Sequence, residues 1–420
     1  MRVLVAVAAA LLAVPGAAAW TTLSSGVQNI VVPSMLLTQS GTELVSFESP
    51  VAGTISVSRN RAAPKTVVTG DPIAGRTQLV QQPSGANQLY FPNAQGVGRL
   101  TSTDDGQTWS GPIQTQSHMV GGVMGAAVAP DGTPYFAQDG TGFVNVFRGL
   151  NGESVKNVFP RCCGYAESLA VDSTGLVQVA FYSNADLDGT FLHERLAADL
   201  SVAGSTPLKP TAPHSDRVPI VADRSGNTFM AWPPGFPEAT ALTVVPFRDG
   251  QPSGDGVGFR GPFGGGDPHT ALAVDQRDRL WAVWTGGGAV HVARSRSHGE
   301  HFGAVVNTAV PGTAYQVSAA ALNGDPGSVD VIVNVGAQLI EQQILPGLTV
   351  RLSKTTAKVR GKKVVTRWAQ ALDDSFAVPT ATFRVGGRTT HANAQGKAKV
   401  RPGAGKAAAP GYTGAAFTVR

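Results

Sequence analysis

Cysteine is nearly missing from this sequence: two residues in 420, Cys162 and Cys163, standing side by side. No C-x-x-C pair exists, which excludes a thioredoxin-like redox centre. No cysteine follows the N-terminal apolar run, so lipid attachment there is excluded. Past that run no apolar stretch reaches the roughly 20 residues needed to span a bilayer, and no hydrophobic tail ends the sequence. Sustained helical periodicity is absent as well. What is abundant is turn chemistry. The 51 Gly and 28 Pro punctuate short apolar runs, the composition of an all-β protein.

Met1 to Ala19 reads as a secretory signal. Arg2 supplies the charge, Val3 to Val14 the apolar stretch, and Ala17-Ala18-Ala19 a small-residue cleavage site. The mature protein is therefore expected to be secreted, without a transmembrane segment, and monomeric. Its formal charge of +5 hides a division. Residues 351–420 carry 14 Lys and Arg against Asp373 and Asp374, a balance of +12, whereas the remainder holds 19 basic and 26 acidic residues, a balance of −7. Such asymmetry indicates two modules with different partners.

A unit recurs seven times: an apolar run, a turn centred on Asp or Gly, and a second apolar run. Copies begin at Ser34, Gln78, Gly125, Ser168, Pro219, Ala271 and Ala319, about 43 to 52 residues apart. That period marks a β-propeller whose blades are single sheets, because one sheet cannot bury both of its faces alone. The spacing predicts a propeller over residues 20–346 with seven blades, six being the alternative. Pro346-Gly347 marks a boundary. Short strands at 348–359, 364–369 and 381–385, hairpin turns at Gly386-Gly387 and at 393–396, and a loop at Lys406 to Pro410 predict a small β-sandwich over 347–420.

Between the second and third copies lies Ser102-Thr103-Asp104-Asp105-Gly106-Gln107-Thr108-Trp109. It matches S-x-D-x-G-x-T-W, the Asp-box (BNR repeat) of sialidase-like propellers, at every specified position. A degenerate copy, Ser295 to Phe302, follows the sixth repeat, with Ser297 in place of the carboxylate and Phe302 in place of the Trp. The residue types fit a tight turn: Asp104 caps backbone N–H groups, Gly106 allows positive φ, and Trp109 fills an apolar gap. The chain thus resembles the sialidase superfamily, in which this box is structural. The stretch from Leu348 onward resembles the immunoglobulin-like modules appended to bacterial exported proteins.

The sialidase resemblance implies three Arg on the sugar carboxylate, a Tyr nucleophile with a Glu as its base, and an Asp acid. Glu167 and Tyr315 match the Glu and Tyr contexts. The Arg positions are not matched: Val31 occupies the first, Tyr182-Ser183 the second, and 285–292 contains none. Arg294 lies beyond, at the far end of its strand from the cleft. Without those guanidiniums a sialic acid carboxylate would be desolvated uncompensated, at a cost of several kcal/mol. Standard sialidase activity is therefore not expected.

The residues just before each innermost strand are polar: His118; Arg161, Tyr165 and Glu167; His214, Asp216 and Arg217; Asp267 and His269; Tyr315 with Gln316. In phase, they would form one ring at the mouth of the central cleft, suited to sugar hydroxyls and ring faces. They carry no metal-ligand spacing, so neither metal nor cofactor is expected. In an oxidising compartment Cys162 and Cys163 are expected to form a vicinal disulfide, as in some Asp-box propellers. Free thiols or an intermolecular bridge are the alternatives. The basic residues after 351 fit an anionic polymer or surface, and no aromatic interleaving supports nucleic acid. The reading is a non-catalytic propeller binding an extracellular glycan or cell-envelope polymer. A diverged glycoside hydrolase or lyase, and a protein-docking scaffold, are the alternatives.

Overall fold

The computed structural model describes residues 19–27, 32–49, 52–70, 76–93, 96–115, 124–140, 143–159, 164–183, 189–208, 218–234, 241–260 and 269–420. These residues form antiparallel sheets and no helix. The first sheet is typical: Ser34–Leu37, Glu43–Ser49, Thr54–Arg59 and Lys65–Thr69 pair in chain order. Five further sheets repeat this meander up to Val306–Ala309. In the next, Ala314–Leu322, Ser328–Val335 and Gln338–Ile344 are joined on the outside by the N-terminal Thr21–Ser25, with Thr21 opposite Glu341 and Thr22 opposite Ile340. The two ends of this region thus share one sheet. The all-β arrangement of four-stranded antiparallel sheets is consistent with a β-propeller.

The second strand of each sheet lies between neighbours on both faces, so it reads as a continuous apolar run instead of an alternation. Asn87–Asn93, Val177–Ser183, Thr228–Trp232 and Ser328–Val335 are buried throughout. Aromatic rings then key adjacent sheets together. Tyr90 meets Phe136 edge-on at 4.9 Å, Phe191 lies 4.9 Å from Trp232, and Phe259 5.2 Å from Trp284. In the fourth and fifth sheets the first-to-second-strand turns are closed by aspartates. Asp172 Oδ1 accepts from the N–H groups of Thr174 (2.9 Å) and Leu176 (3.1 Å), and Asp223 Oδ1 from those of Ser225 and Asn227 (both 2.9 Å).

The Asp-box folds as its residues dictate. Asp104 Oδ1 accepts from the Thr108 N–H at 2.9 Å and from Ser102 Oγ at 2.8 Å, and Ser102 Oγ accepts from the Gly106 N–H at 2.8 Å. Gly106 has φ +83°, and a Cβ there would run into Leu44. Trp109 packs on the cluster of Leu44, Ile55, Leu79 and Leu89 between the first two sheets. Asp105 ties the box to the first sheet: its carboxylate accepts from Ser40 Oγ at 2.6 Å and its carbonyl from Arg59 Nε at 2.9 Å. The degenerate copy docks likewise. Gly299 has φ +67° and abuts Phe229, and Phe302 meets Phe259 edge-on at 4.9 Å.

After residue 347 two sheets face each other. One holds Thr349–Val359, Lys362–Asp373, Phe376–Ala377 and Lys397–Val400; the other holds Arg388–His391, Thr382–Val385, Gly403–Ala408 and Ala415–Val419. Their shared core includes Leu348, Ala369, Ala371, Phe383, Ala398 and Ala407. The loop expected at Lys406 to Pro410 is a correction. Lys406 to Ala408 complete the strand Gly403–Ala408, and Ala407, opposite Phe383, is buried. Three consecutive alanines look featureless in sequence, but the first of them faces the core beside Phe383.

This part is fastened to the sheets before it. Arg294, 3% exposed, ion-pairs with Asp373 and donates to the Pro326 carbonyl. Tyr412 Oη donates to the same Asp373 at 3.0 Å. The Arg296 guanidinium lies 3.9 Å from the centre of the Phe376 ring. Arg294 therefore serves this junction, at the distance from the cleft that its place beside the degenerate box implied.

Candidate functional site

The first strands of successive sheets contact one another around a cavity of about 160 Å³. Every one of the seven sheets up to Ile344 contributes to its lining, and the polar contributors are Ser34, Arg76, Gln78, Ser168 and Ser318. Two of the serines are engaged: Ser34 Oγ accepts from the Leu79 N–H at 2.9 Å, and Ser318 Oγ donates to the Pro33 carbonyl. Arg76 is different. It is only 6% exposed, and among the described residues its Nε and Nη1 have no hydrogen-bond partner. A backbone bridge pairs it with Val32, the residue that follows in sequence the position where the resemblance called for an Arg.

Burying a guanidinium with open donors is expensive unless an anion completes it. Arg76 was missed in sequence. The signal was available, since it stands two residues before the second repeat, as Asp216 and Arg217 stand before the fifth.

The residues proposed for the ring divide into three groups. His118, Arg161, His214, Asp216, Arg217 and Asp267, together with Cys162 and Cys163, lie outside the described residues. Tyr165 and Glu167 fall in the innermost strand Gly164–Val171. His269 and Tyr315 are described in full. The His269 N–H donates to Thr285 Oγ1 at 3.1 Å, and its carbonyl accepts from the Thr285 N–H at 3.0 Å, immediately before the innermost strand of the sixth sheet.

Two of the innermost strands carry the same irregularity. Tyr165 pairs with Tyr182 but Ser168 with Ala180, so one extra residue is inserted around Ala166-Glu167. Ala314 pairs with Val335 but Val317 with Val333, inserting one around Tyr315-Gln316. Such bulges re-aim side chains at the ends of strands. Glu167 and Tyr315 therefore both fall in the bulges that open the innermost strands of the fourth and seventh sheets, with Glu167 at the place of Gln316 and Tyr315 at the place of Ala166.

The opposite end of these strands is built of the aspartate turns. A depression of about 460 Å³ there is lined by Gln39, Gln81, Asp172, Asp223, Arg224 and Asp275, among others. The three aspartates spend their oxygens on local N–H groups. A groove of about 520 Å³ between Lys65 and Trp109 lies on the outer flank, away from the axis, so size alone does not mark the site.

Among the described residues, two clusters of carboxylates have the proximity of metal ligands. Asp223, Asp278 and His298 form one, but Asp223 Oδ2 already accepts from Asn227 Nδ2 (2.8 Å) and lies 2.9 Å from His298 Nδ1. Glu43, Asp330 and Glu341 form the other, on the two sheets where the ends of the propeller region meet. Arg61 supplies a cation to it, with Nη2 at 2.6 Å from Asp330 and Nε at 2.9 Å from Glu341. Burial, then the two neighbouring carboxyls, pushes the Glu43 pKa far above the usual carboxylate range, and burial raises that of Glu341 as well. His193, buried beside Gln178 Oε1 at 2.8 Å, is held down to about 3 by desolvation and then by Arg195, so it is a neutral core side chain.

No protein-family model matches the sequence, and no curated protein does. Solved β-propellers do match in structure. Virginiamycin B lyase from Staphylococcus aureus is 13% identical over 77% of this chain and 98% of its own, with a TM-score of 0.50. The leech intramolecular trans-sialidase is 8% identical over 78% of this chain and 70% of its own, with a TM-score of 0.45. The Aleuria aurantia lectin is 9% identical over 81% and 96%, with a TM-score of 0.43. At such identities the likeness is one of fold, that of a β-propeller.

Proposed function

We propose that this chain is an exported, seven-bladed, sialidase-like propeller, without standard sialidase activity, that binds an acidic extracellular glycan or cell-envelope polymer at the end of its axial cavity where the innermost strands begin. The observation that carries this reading is Arg76, a buried cation with open donors in a cavity lined by all seven sheets. A single Arg can hold one carboxylate or sulfate bidentately. It does not replace the three that a sialidase places on its substrate. Residues 347–420 act as a second, basic module that keeps the propeller at an anionic surface.

The first test is a glycan array probed with the mature protein and with Arg76→Met. Binding confined to acidic glycans and lost in the variant supports the reading, whereas binding that persists in Arg76→Met overturns it. A second reading, a diverged glycosidase, is favoured by the matched bulges that carry Glu167 and Tyr315. Turnover of an aryl glycoside panel that vanishes in Glu167→Gln would establish it in place of the first.

A further inference from the structure

The hairpin formed by Thr349–Val359 and Lys362–Asp373 extends past the sandwich that it starts from. Every residue from Arg351 to Val365 is exposed, so neither face of this stretch is covered. A two-faced, solvated hairpin has no packing reason to carry large apolar side chains. This one carries Leu352, Val359, Val364 and Val365, which are 40%, 52%, 42% and 38% exposed. Three of the four lie within the last few residues of the tip, on both faces. Val359 and Val364 share one side with Ala357, and Val365 points to the other, as the register Ala357 to Val364 and Thr356 to Val365 requires.

The charges on the same stretch are all of one sign: Arg351, Lys354, Lys358, Arg360, Lys362 and Lys363, with no Asp or Glu between Thr349 and Leu372. Register sets Lys358 directly opposite Lys363, and Lys354 directly opposite Arg367. Like charges facing each other across two strands destabilise the hairpin. Among the described residues none of the five from Lys354 to Lys363 is ion-paired. The repulsion is relieved only by anions from outside the chain. A soluble polyanion would satisfy the charges and leave the valines in water. A bilayer with anionic head groups satisfies both, because its polar layer takes the lysines and the layer beneath takes the apolar tip.

We infer that this hairpin is a membrane-surface anchor, docking its tip on anionic phospholipid with Val359, Val364 and Val365 in the interfacial layer and the flanking Lys and Arg on phosphates. This rests on the reading that residues 347–420 contact an anionic surface, and it names that surface. The test uses the full mature chain in cosedimentation with vesicles of phosphatidylcholine alone or with one quarter phosphatidylglycerol, and heparin as the soluble polyanion. Binding should need phosphatidylglycerol, and Lys358→Gln with Lys363→Gln should weaken it on the order of tenfold or more. Val359→Ser with Val364→Ser should weaken vesicle binding but leave heparin retention unchanged. Both pairs lie outside the core, so circular dichroism should match wild type.

Vesicle binding indifferent to the valines overturns the anchor. So does heparin binding without vesicle binding, which leaves the anionic-surface reading standing with a polymer as partner. Binding to neither overturns both.

Discussion

Glu43→Gln should remove much of the pH dependence of folding between pH 6 and pH 8. Glu43, Asp330 and Glu341 converge from strands near the two ends of the propeller region, and only Arg61 offsets them. Burial and the two neighbouring carboxyls raise the Glu43 pKa far above its ordinary value. The native state therefore keeps a proton that the unfolded chain releases near pH 4.3. A raised native pKa gives stability that is complete below the unfolded pKa and is lost as pH rises toward the native one.

One proton of difference corresponds to at most about 1.4 kcal/mol per pH unit, so wild type should lose up to about 2.7 kcal/mol from pH 6 to pH 8. Glu341, raised in the same direction, steepens the slope. Glutamine at 43 keeps the shape and donates an N–H without needing the proton. Glu43→Gln should thus show a flatter profile and exceed wild type at pH 8 by up to about 5 kcal/mol, the loss accumulated from the unfolded pKa upward. Urea unfolding followed by tryptophan fluorescence at pH 6, 7 and 8, at fixed ionic strength, measures this. Parallel profiles, or a variant less stable than wild type at pH 8, would refute the reasoning.

Asp373→Ala should cost about 3–5 kcal/mol, because it strands the buried Arg294 without its counter-ion. Limited proteolysis near residue 346 should speed up, and unchanged cleavage would show that the junction does not depend on this pair. Gly106→Ala should cost about 2–3 kcal/mol through positive φ and collision with Leu44. Asp-box turns matter little if its denaturation midpoint equals that of wild type. Arg76→Met, which removes a buried charge whose Nε and Nη1 have no partner among the described residues, should raise the unfolding free energy by about 1–4 kcal/mol while abolishing acidic-glycan binding. A loss of stability would mean that Arg76 has a structural partner.

Local chemistry was legible. The Asp-box reads correctly because its hydrogen bonds run over four residues, from Ser102 to Gly106 and from Asp104 to Thr108. The repeats read correctly because each is one sheet with its own tight turn between its first two strands. The hairpin turns at Gly386-Gly387 and at Asn393 read correctly for the same reason: positive φ at the two glycines, and Asn393 Oδ1 accepting from the Gln395 and Lys397 N–H groups at 3.0 Å each. Ala407 misled because its burial comes from packing in a sheet beside Phe383, more than twenty residues earlier.

The sequence by itself determined the repeating sheet, its turns and the basic character of the last seventy residues, since these depend on neighbours within one hairpin. Tertiary structure alone decided how the ends meet. Thr21–Ser25 completes a sheet with strands some three hundred residues away, and that closure brings Glu43 and Arg61 to Asp330 and Glu341. It also decided that Nε and Nη1 of Arg76 have no partner among the described residues around the axial cavity, and that the hairpin at 351–365 is exposed along its length. Burial, and with it the energetic meaning of a charge, is a property of what the rest of the chain leaves around a side chain, and no stretch of sequence states it.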